Sequence, residues 1–289
     1  MMQALIFALI AYVGWATADI AGAIYSRRIG GYRTTFWSYL FRSVIFLFYI
    51  PFTISDWKHL RFANLSLTVL LSAIFIIGVC LFLEAFRSAN ASLVGTISAA
   101  FVVPTIILSV IFLHETLTMP QVIAICVIFV GLIFTSLDFD SFRGKKFVLD
   151  KGILLAFVVM ILWGIYFSFI KIPVKELGWF IPSYIAYLVF PLVLVIMRFK
   201  KLPIALPIKN HGGLIAFAGF TILGTVGNLA YNLGIEKGYV STVIPIAGSY
   251  PTLFVVLTFL VFKDKLKKSQ VLGICISLAG IVAMSFLSK

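Results

Sequence analysis

At 289 residues with a formal net charge of +13, the chain carries only 11% charged residues, against about 25% in soluble domains. A mean hydropathy of +1.13 with 62% hydrophobic residues excludes an ordinary soluble globular protein. The basic residues fall in short loops between apolar runs, which excludes a nucleic-acid-binding face and points to cationic loops against anionic lipid.

Apolar stretches of about 20 residues recur along the chain, each long enough to cross a hydrocarbon core of about 30 Å. In lipid such runs must be helices. The first is predicted over 4–26 and stops at Arg27-Arg28; it lacks a basic leader and an A-x-A cleavage site, so it is expected to be retained as a span. The second covers 34–54, ended by Asp56-x-Lys58-His59, and the third, fourth and fifth cover 65–87, 91–113 and 119–137. The polar stretch 138–150 reads as a linker. Spans six to ten follow at 151–170, 180–199, 212–235, 239–262 and 269–287, with a basic, proline-bearing loop before the eighth.

The chain repeats itself. A shift of 149 positions lays Ser92-x-Val94 on Ser241-x-Val243, and Leu117, Gln121, Val122, Ile125, Cys126 and Gly131 on Leu266, Gln270, Val271, Ile274, Cys275 and Gly280. It also lays His114-Glu115 on Lys263-Asp264, with no gap. Two units follow, 1–137 and 151–289, of five spans each. An odd number of spans forces the second unit to start on the other side of the membrane. The expected fold is therefore an all-α integral membrane protein of ten transmembrane helices in two inverted five-helix repeats. The loops 1–2, 3–4, 5–6, 7–8 and 9–10 hold 16 Lys and Arg, and the opposite side holds 6. The positive-inside rule then places both termini outside.

Ser92…Pro104…His114-Glu115-Thr116-Leu117-Thr118-x-x-Gln121…Gly131 resembles the second half of an EamA module of the drug/metabolite transporter superfamily. Pro251…Lys263-Asp264-Lys265-Leu266-x-x-x-Gln270-x-x-Gly273…Gly280 is similar to the same pattern, so two modules cover nearly the whole chain. His114 stands where the family usually has Gly, and Asp264 where it has Glu. The resemblance implies a carrier of small molecules and inclines the termini to the inside, against the charge count.

Charges inside apolar spans are costly, so they pair, line a cavity, or both. Asp19 is eight residues before Arg27 and Arg42 eight after Thr34, so both lie about 12 Å in from one face. They suit either a structural ion pair or a cavity. Glu84, near the end of span 3, reads as a site residue or as an interfacial acid beside Arg87. Tyr12, Trp15 and Asp19 share one helical stripe, and aromatic faces beside a carboxylate suit a cation. Thr221, Thr225, Asn228 and Asn232, with Tyr231 adjacent, form a polar stripe on span 8, either interhelical glue or a cavity wall. Trp163 in span 6 completes the candidate substrate-binding set. Pro104, Pro245 and Pro251 interrupt spans 4 and 9 and are the candidate hinges. Glu115 and Asp264 read as turn-capping residues that fix helical hairpins.

Catalytic motifs are missing: there is no G-x-S-x-G, H-E-x-x-H or P-loop. Three scattered cysteines form neither a disulfide framework nor a metal set. The expected function is secondary transport of a small polar or amphipathic metabolite, such as an amino acid or amine, by alternating access in the cell membrane. It needs no cofactor or metal. Its partners are a small-molecule substrate and the bilayer, with proton or cation coupling and no nucleic acid, as a monomer or homodimer. The alternatives are a carrier selective for an organic cation such as a quaternary amine, and a non-transporting structural membrane subunit.

Overall fold

The computed structural model describes residues 2–88, 91–136, 151–205, 211–262 and 267–287; the expected linker at 138–150 and Asp264 lie outside the described residues. In chain order, α1 is Met2–Ile29, α2 Gly31–Leu47 and α3 Phe62–Ser88. α4 is broken into α4a, Ala91–Ala99, and α4b, Val102–Phe112, and α5 is Met119–Ser136. α6a is Lys151–Phe169 and α6b Lys171–Leu177, followed by α7a, Phe180–Leu188, and α7b, Phe190–Phe199. α8 is His211–Lys237, α9a Val240–Ala247, α9b Pro251–Phe262 and α10 Lys268–Leu287.

These elements make the ten expected crossings. Seven helical segments are long and apolar enough to span alone, an eighth is α2 with the Ile50–Trp57 segment bent 66° from it, and the shorter apolar helices Ile97–Phe112 and Met119–Thr135 supply the other two. Among the described residues there is no strand.

Helix contacts repeat when the halves are exchanged. α1 packs along α8 as α6a packs along α3; α9 lies on α1 as α4 lies on α6a; α2 meets α7, and α5 meets α10. The α5–α10 crossing displays the symmetry in detail. A Cβ on Gly131 would strike the backbone of Ser277 and Gly273, and one on Gly280 would strike Ile128 and Ala124, which are the same positions 149 residues apart. Because each half has five spans, equivalent helices run in opposite directions and the repeats are inverted.

The repeated sequence features have local causes. The Gln121 carboxamide accepts from the Thr118 amide at 2.9 Å, and Gln270 accepts from Lys267 at the same distance. Each thereby satisfies a free N–H at the start of α5 or α10. His114 adopts φ 52°, a left-handed conformation that favours Gly, which accounts for the glycine expected there. Both broken helices part at equivalent places, Ala100–Phe101 and Gly248–Tyr250. Pro251 is the first residue of α9b and Pro104 the third of α4b, positions whose N–H has no intrahelical partner to lose. Pro245 lies inside α9a.

Candidate functional site

A chamber between the two halves is lined by α1, α2, α3, α6a and α8 and by the breaks in α4 and α9. Its volume is about 60 Å³, room for a few waters, so a larger solute enters only when the chamber widens. Five of the candidate substrate-binding residues meet here: Trp15, Asp19, Arg42, Trp163 and Asn228. The chain supplies them because α1 and α8 pack closely where Gly14 faces Gly227, which draws their polar stripes to one wall.

The chamber has two unlike walls. On the side of α1, α2, α8 and α9, the Trp15 indole donates to Asn228 Oδ1 at 2.8 Å, and Tyr250 lines the chamber together with Asp19. Arg42, 3% exposed, donates Nη2 to the Phe220 carbonyl at 2.8 Å and Nε to Thr221 at 3.1 Å. Its guanidinium lies 5.1 Å from the Tyr39 ring centroid, 5.5 Å from Tyr187 and 5.3 Å from Phe220, a cation–π cage. Gly224 makes the seat: a Cβ there would lie 2.7 Å from Arg42 Nη2. On the side of α3, α4 and α6a the wall is Phe75, Val79, Phe82, Leu83, Phe101, Trp163 and Phe167.

The Asp19–Arg42 ion pair suggested by equal depth does not form. Among the described residues the ion pairs are Glu84–Arg87, Glu115–Lys171 and Glu236–Lys237. Depth sets the level of a side chain but not its azimuth. Asp19 turns towards the α9 break, and Arg42 towards α8.

The remaining candidates lie elsewhere. The Tyr12 hydroxyl bonds Thr252 Oγ1 at 2.7 Å, the Tyr231 hydroxyl donates to the Phe167 carbonyl at 2.7 Å, and Asn232 Nδ2 donates to Ser183 Oγ at 2.7 Å. These polar ends tie α1 to α9b, α8 to α6a and α8 to α7a. Glu84 pairs with Arg87 at 2.9 Å in a second cavity of about 560 Å³ at the face that carries the 1–2 and 7–8 loops. Arg33, Arg87, Lys151 and Lys200 also line it. α3 lies between this vestibule and the chamber, since one of its turns gives Leu81 and Glu84 to the first and Phe82 and Leu83 to the second. Tyr39 and Tyr250 escaped the sequence reading; the signal for Tyr250 was its place beside Pro251.

At the opposite face Glu115 ties the two repeats together. Rather than capping its own turn, its carboxylate reaches the other repeat and accepts from the amides of Val240 at 2.8 Å and Ser241 at 2.7 Å. These are the first N–H groups of α9a, whose helix dipole favours an anion. Lys171 pairs with Glu115 at 2.7 Å and donates to the Gly238 carbonyl at 2.9 Å. Glu115 is 4% exposed.

The family model described as the EamA-like transporter family matches residues 2–137 and 150–286. An uncharacterized transporter of Helicobacter pylori strain J99 is 30% identical over 138 residues, 46% of this chain and 45% of that protein. An uncharacterized protein of Methanocaldococcus jannaschii is 36% identical over 95 residues, 33% of this chain and 66% of its own length. The chain thus matches about half to two thirds of these relatives' length. A crystal structure of a protein with 12% identity superimposes with a TM-score of 0.76 over 99% of this chain and 97% of the other, a likeness of fold alone.

Proposed function

The chain belongs to the EamA-like transporter family, and from that premise we propose that it carries a small amphipathic zwitterion, of which an amino acid is the type, by alternating access through the central chamber. The observation that carries this reading is the polarity of the chamber. Asp19 and Arg42, of opposite sign and not paired with each other, share one wall, while the facing wall is aromatic and aliphatic. A solute with separate ammonium and carboxylate groups matches the first wall, and an apolar arm matches the second. Its net charge of zero also avoids carrying a lone charge into the bilayer. Asp19 is the candidate for proton or cation coupling. No covalent step is involved.

The organic-cation reading draws support from Trp15 and Tyr250 beside Asp19, whose rings lie 5.9 Å apart. Arg42 in the same chamber opposes it by like-charge repulsion. The Glu115 latch and the open vestibule favour a conformation reached from the face opposite the termini. With 16 Lys and Arg against 6, we place that face in the cytoplasm of a cell or inner membrane and both termini outside.

The test is counterflow of radiolabelled L-phenylalanine in proteoliposomes, competed by 2-phenylethylamine and by 3-phenylpropanoate. Saturable flux that neither single-charge analogue inhibits supports the zwitterion. Inhibition by the amine alone selects the cation reading, and no saturable flux of any probe ends the transport reading of this chamber.

A further inference from the structure

Each half of the molecule lays one tryptophan on a glycine of the other half. Trp15 of α1 lies on Gly227 of α8, and Trp163 of α6a lies on Gly78 of α3. Gly78 and Gly227 are equivalent under the 149-residue shift, so the two indoles occupy related seats. Their N–H groups are treated differently. Trp15 Nε1 donates at 2.8 Å to Asn228, the residue after Gly227. The residue after Gly78 is Val79, which offers no acceptor. Trp163 Nε1 is buried without a hydrogen-bond partner, and the residue is only 7% exposed.

Trp163 and Val79 both line the chamber, on its apolar wall among Phe75, Phe82 and Phe101. An indole N–H can only donate, and one kept from every acceptor carries a desolvation penalty. Tyr39 also lines the chamber; its buried hydroxyl, likewise without a partner, rotates and both donates and accepts, so it selects little. Trp163 selects one kind of atom.

We propose that Trp163 Nε1–H is a specificity-determining donor of the transport site: it favours zwitterions whose apolar arm carries a hydrogen-bond acceptor, such as an ether, carbonyl or hydroxyl oxygen, placed beside Val79. The inference rests on the chamber being the substrate site. The charged head would meet Asp19 and Arg42, and the arm would run along the aromatic wall with its acceptor at the indole. Sites with a buried polar group discriminate strongly against analogues that leave it unpaired.

The test uses pairs that share one head and differ in the arm: O-methyl-L-serine against L-norvaline, and L-tyrosine against L-phenylalanine. Equilibrium binding to the purified full-length protein should favour the oxygen-bearing member of at least one pair by about tenfold, as for one buried hydrogen bond. Trp163→Phe should abolish that preference, read as the ratio of the two affinities within each pair in the same variant. Val79→Asn, which copies the Gly227-Asn228 arrangement, should also abolish it by giving the indole an internal acceptor. In protein labelled with ¹⁵N-tryptophan, Val79→Asn should move one indole N–H resonance downfield without any ligand. Trp163→Phe identifies that resonance among the five tryptophans. Equal binding within both pairs, or a preference that survives both variants, overturns the role of Trp163 and leaves the chamber reading standing. A resonance unmoved by Val79→Asn removes its geometric premise. Failure of all four amino acids to bind the unmodified protein takes down the chamber reading and this inference together.

Discussion

Replacing Glu115 with Gln should loosen the face that bears the termini without disturbing the chamber. The carboxylate holds three donors: Lys171 Nζ at 2.7 Å and the Val240 and Ser241 amides at 2.8 and 2.7 Å. An amide oxygen in the place of Oε1 can keep Lys171 and Val240, but the amide NH₂ then faces the Ser241 N–H donor to donor, and Lys171 loses its counter-charge. Breaking a buried pair from one side costs about 3–5 kcal/mol. Lys171's side chain retains 18% exposure, so the lower end, about 3 kcal/mol, is appropriate. If the latch exists only in the closed arrangement, that loss moves the open–closed equilibrium about a hundredfold. The readout is alkylation of a Ser241→Cys reporter by a membrane-impermeant maleimide, in a background lacking the native cysteines. Glu115→Gln should accelerate it by about that factor. Glu115→Gln with Lys171→Met should restore most of the protection, because removing both charges of a buried pair is far less costly than removing one. Equal labelling rates in parent, single and double variants would refute the latch.

Asp19→Asn should preserve the fold, since Asn nearly matches Asp in shape and still hydrogen-bonds, and should abolish or uncouple flux; normal pH-dependent transport removes Asp19 from the mechanism. Gly224→Ala places a Cβ 2.7 Å from Arg42 Nη2, so it should displace the guanidinium, lower thermal stability by about 1–3 kcal/mol and weaken amino-acid binding. Gly131→Leu should drive α5 off α10, because even a Cβ collides with the Ser277 backbone; a melting temperature equal to the parent's would count against the crossing. Gln121→Ala and Gln270→Ala should each cost about 1 kcal/mol, and nearly equally, since both accept at 2.9 Å in equivalent places.

How far these features could be read from sequence depends on how local their causes are. The ten spans and the inverted repeat are legible because hydropathy and helix capping act over a few residues, as at Gln121 and Gln270. Asp19, Arg42, Trp15 and Asn228 stood out because polar atoms in an apolar span need a partner. Which partner they find is set by helix azimuth and crossing, and that is not local. So Arg42 reaches the Phe220 carbonyl instead of Asp19, and Glu115 reaches an amide 125 positions away. Tyr12, Tyr231 and Asn232 lie on the stripes their spacing suggests, yet spend their polar ends on neighbouring helices. A helical stripe identifies a face but not whether a helix or a cavity lies opposite.

The symmetry of the scaffold sharpens the asymmetry of its chemistry. Under the 149-residue shift Asp19 corresponds to Ser168, Arg42 to Pro191, Asn228 to Val79 and Tyr250 to Phe101. Asp19, Arg42, Asn228 and Tyr250 all line the chamber, from α1, α2, α8 and the α9 break, which pack together, and of their counterparts only the apolar Val79 and Phe101 do. The related helices α3, α4 and α6 supply the apolar wall. Inversion alone suits alternating access, because a two-fold scaffold offers equivalent closures to its two faces. It says nothing about cargo, since a strictly symmetric chamber would bind a symmetric solute. The divergence of these four positions turns the same cradle into one with a charged pole and an apolar pole, and a solute held there has one preferred orientation. Mixing the poles is therefore more damaging than weakening either. Val79→Asp, which sets a carboxylate among Phe75, Phe82 and Phe101, should abolish amino-acid binding even though Asp19 and Arg42 are intact. Unchanged binding in that variant would mean the solute does not use the apolar wall at all.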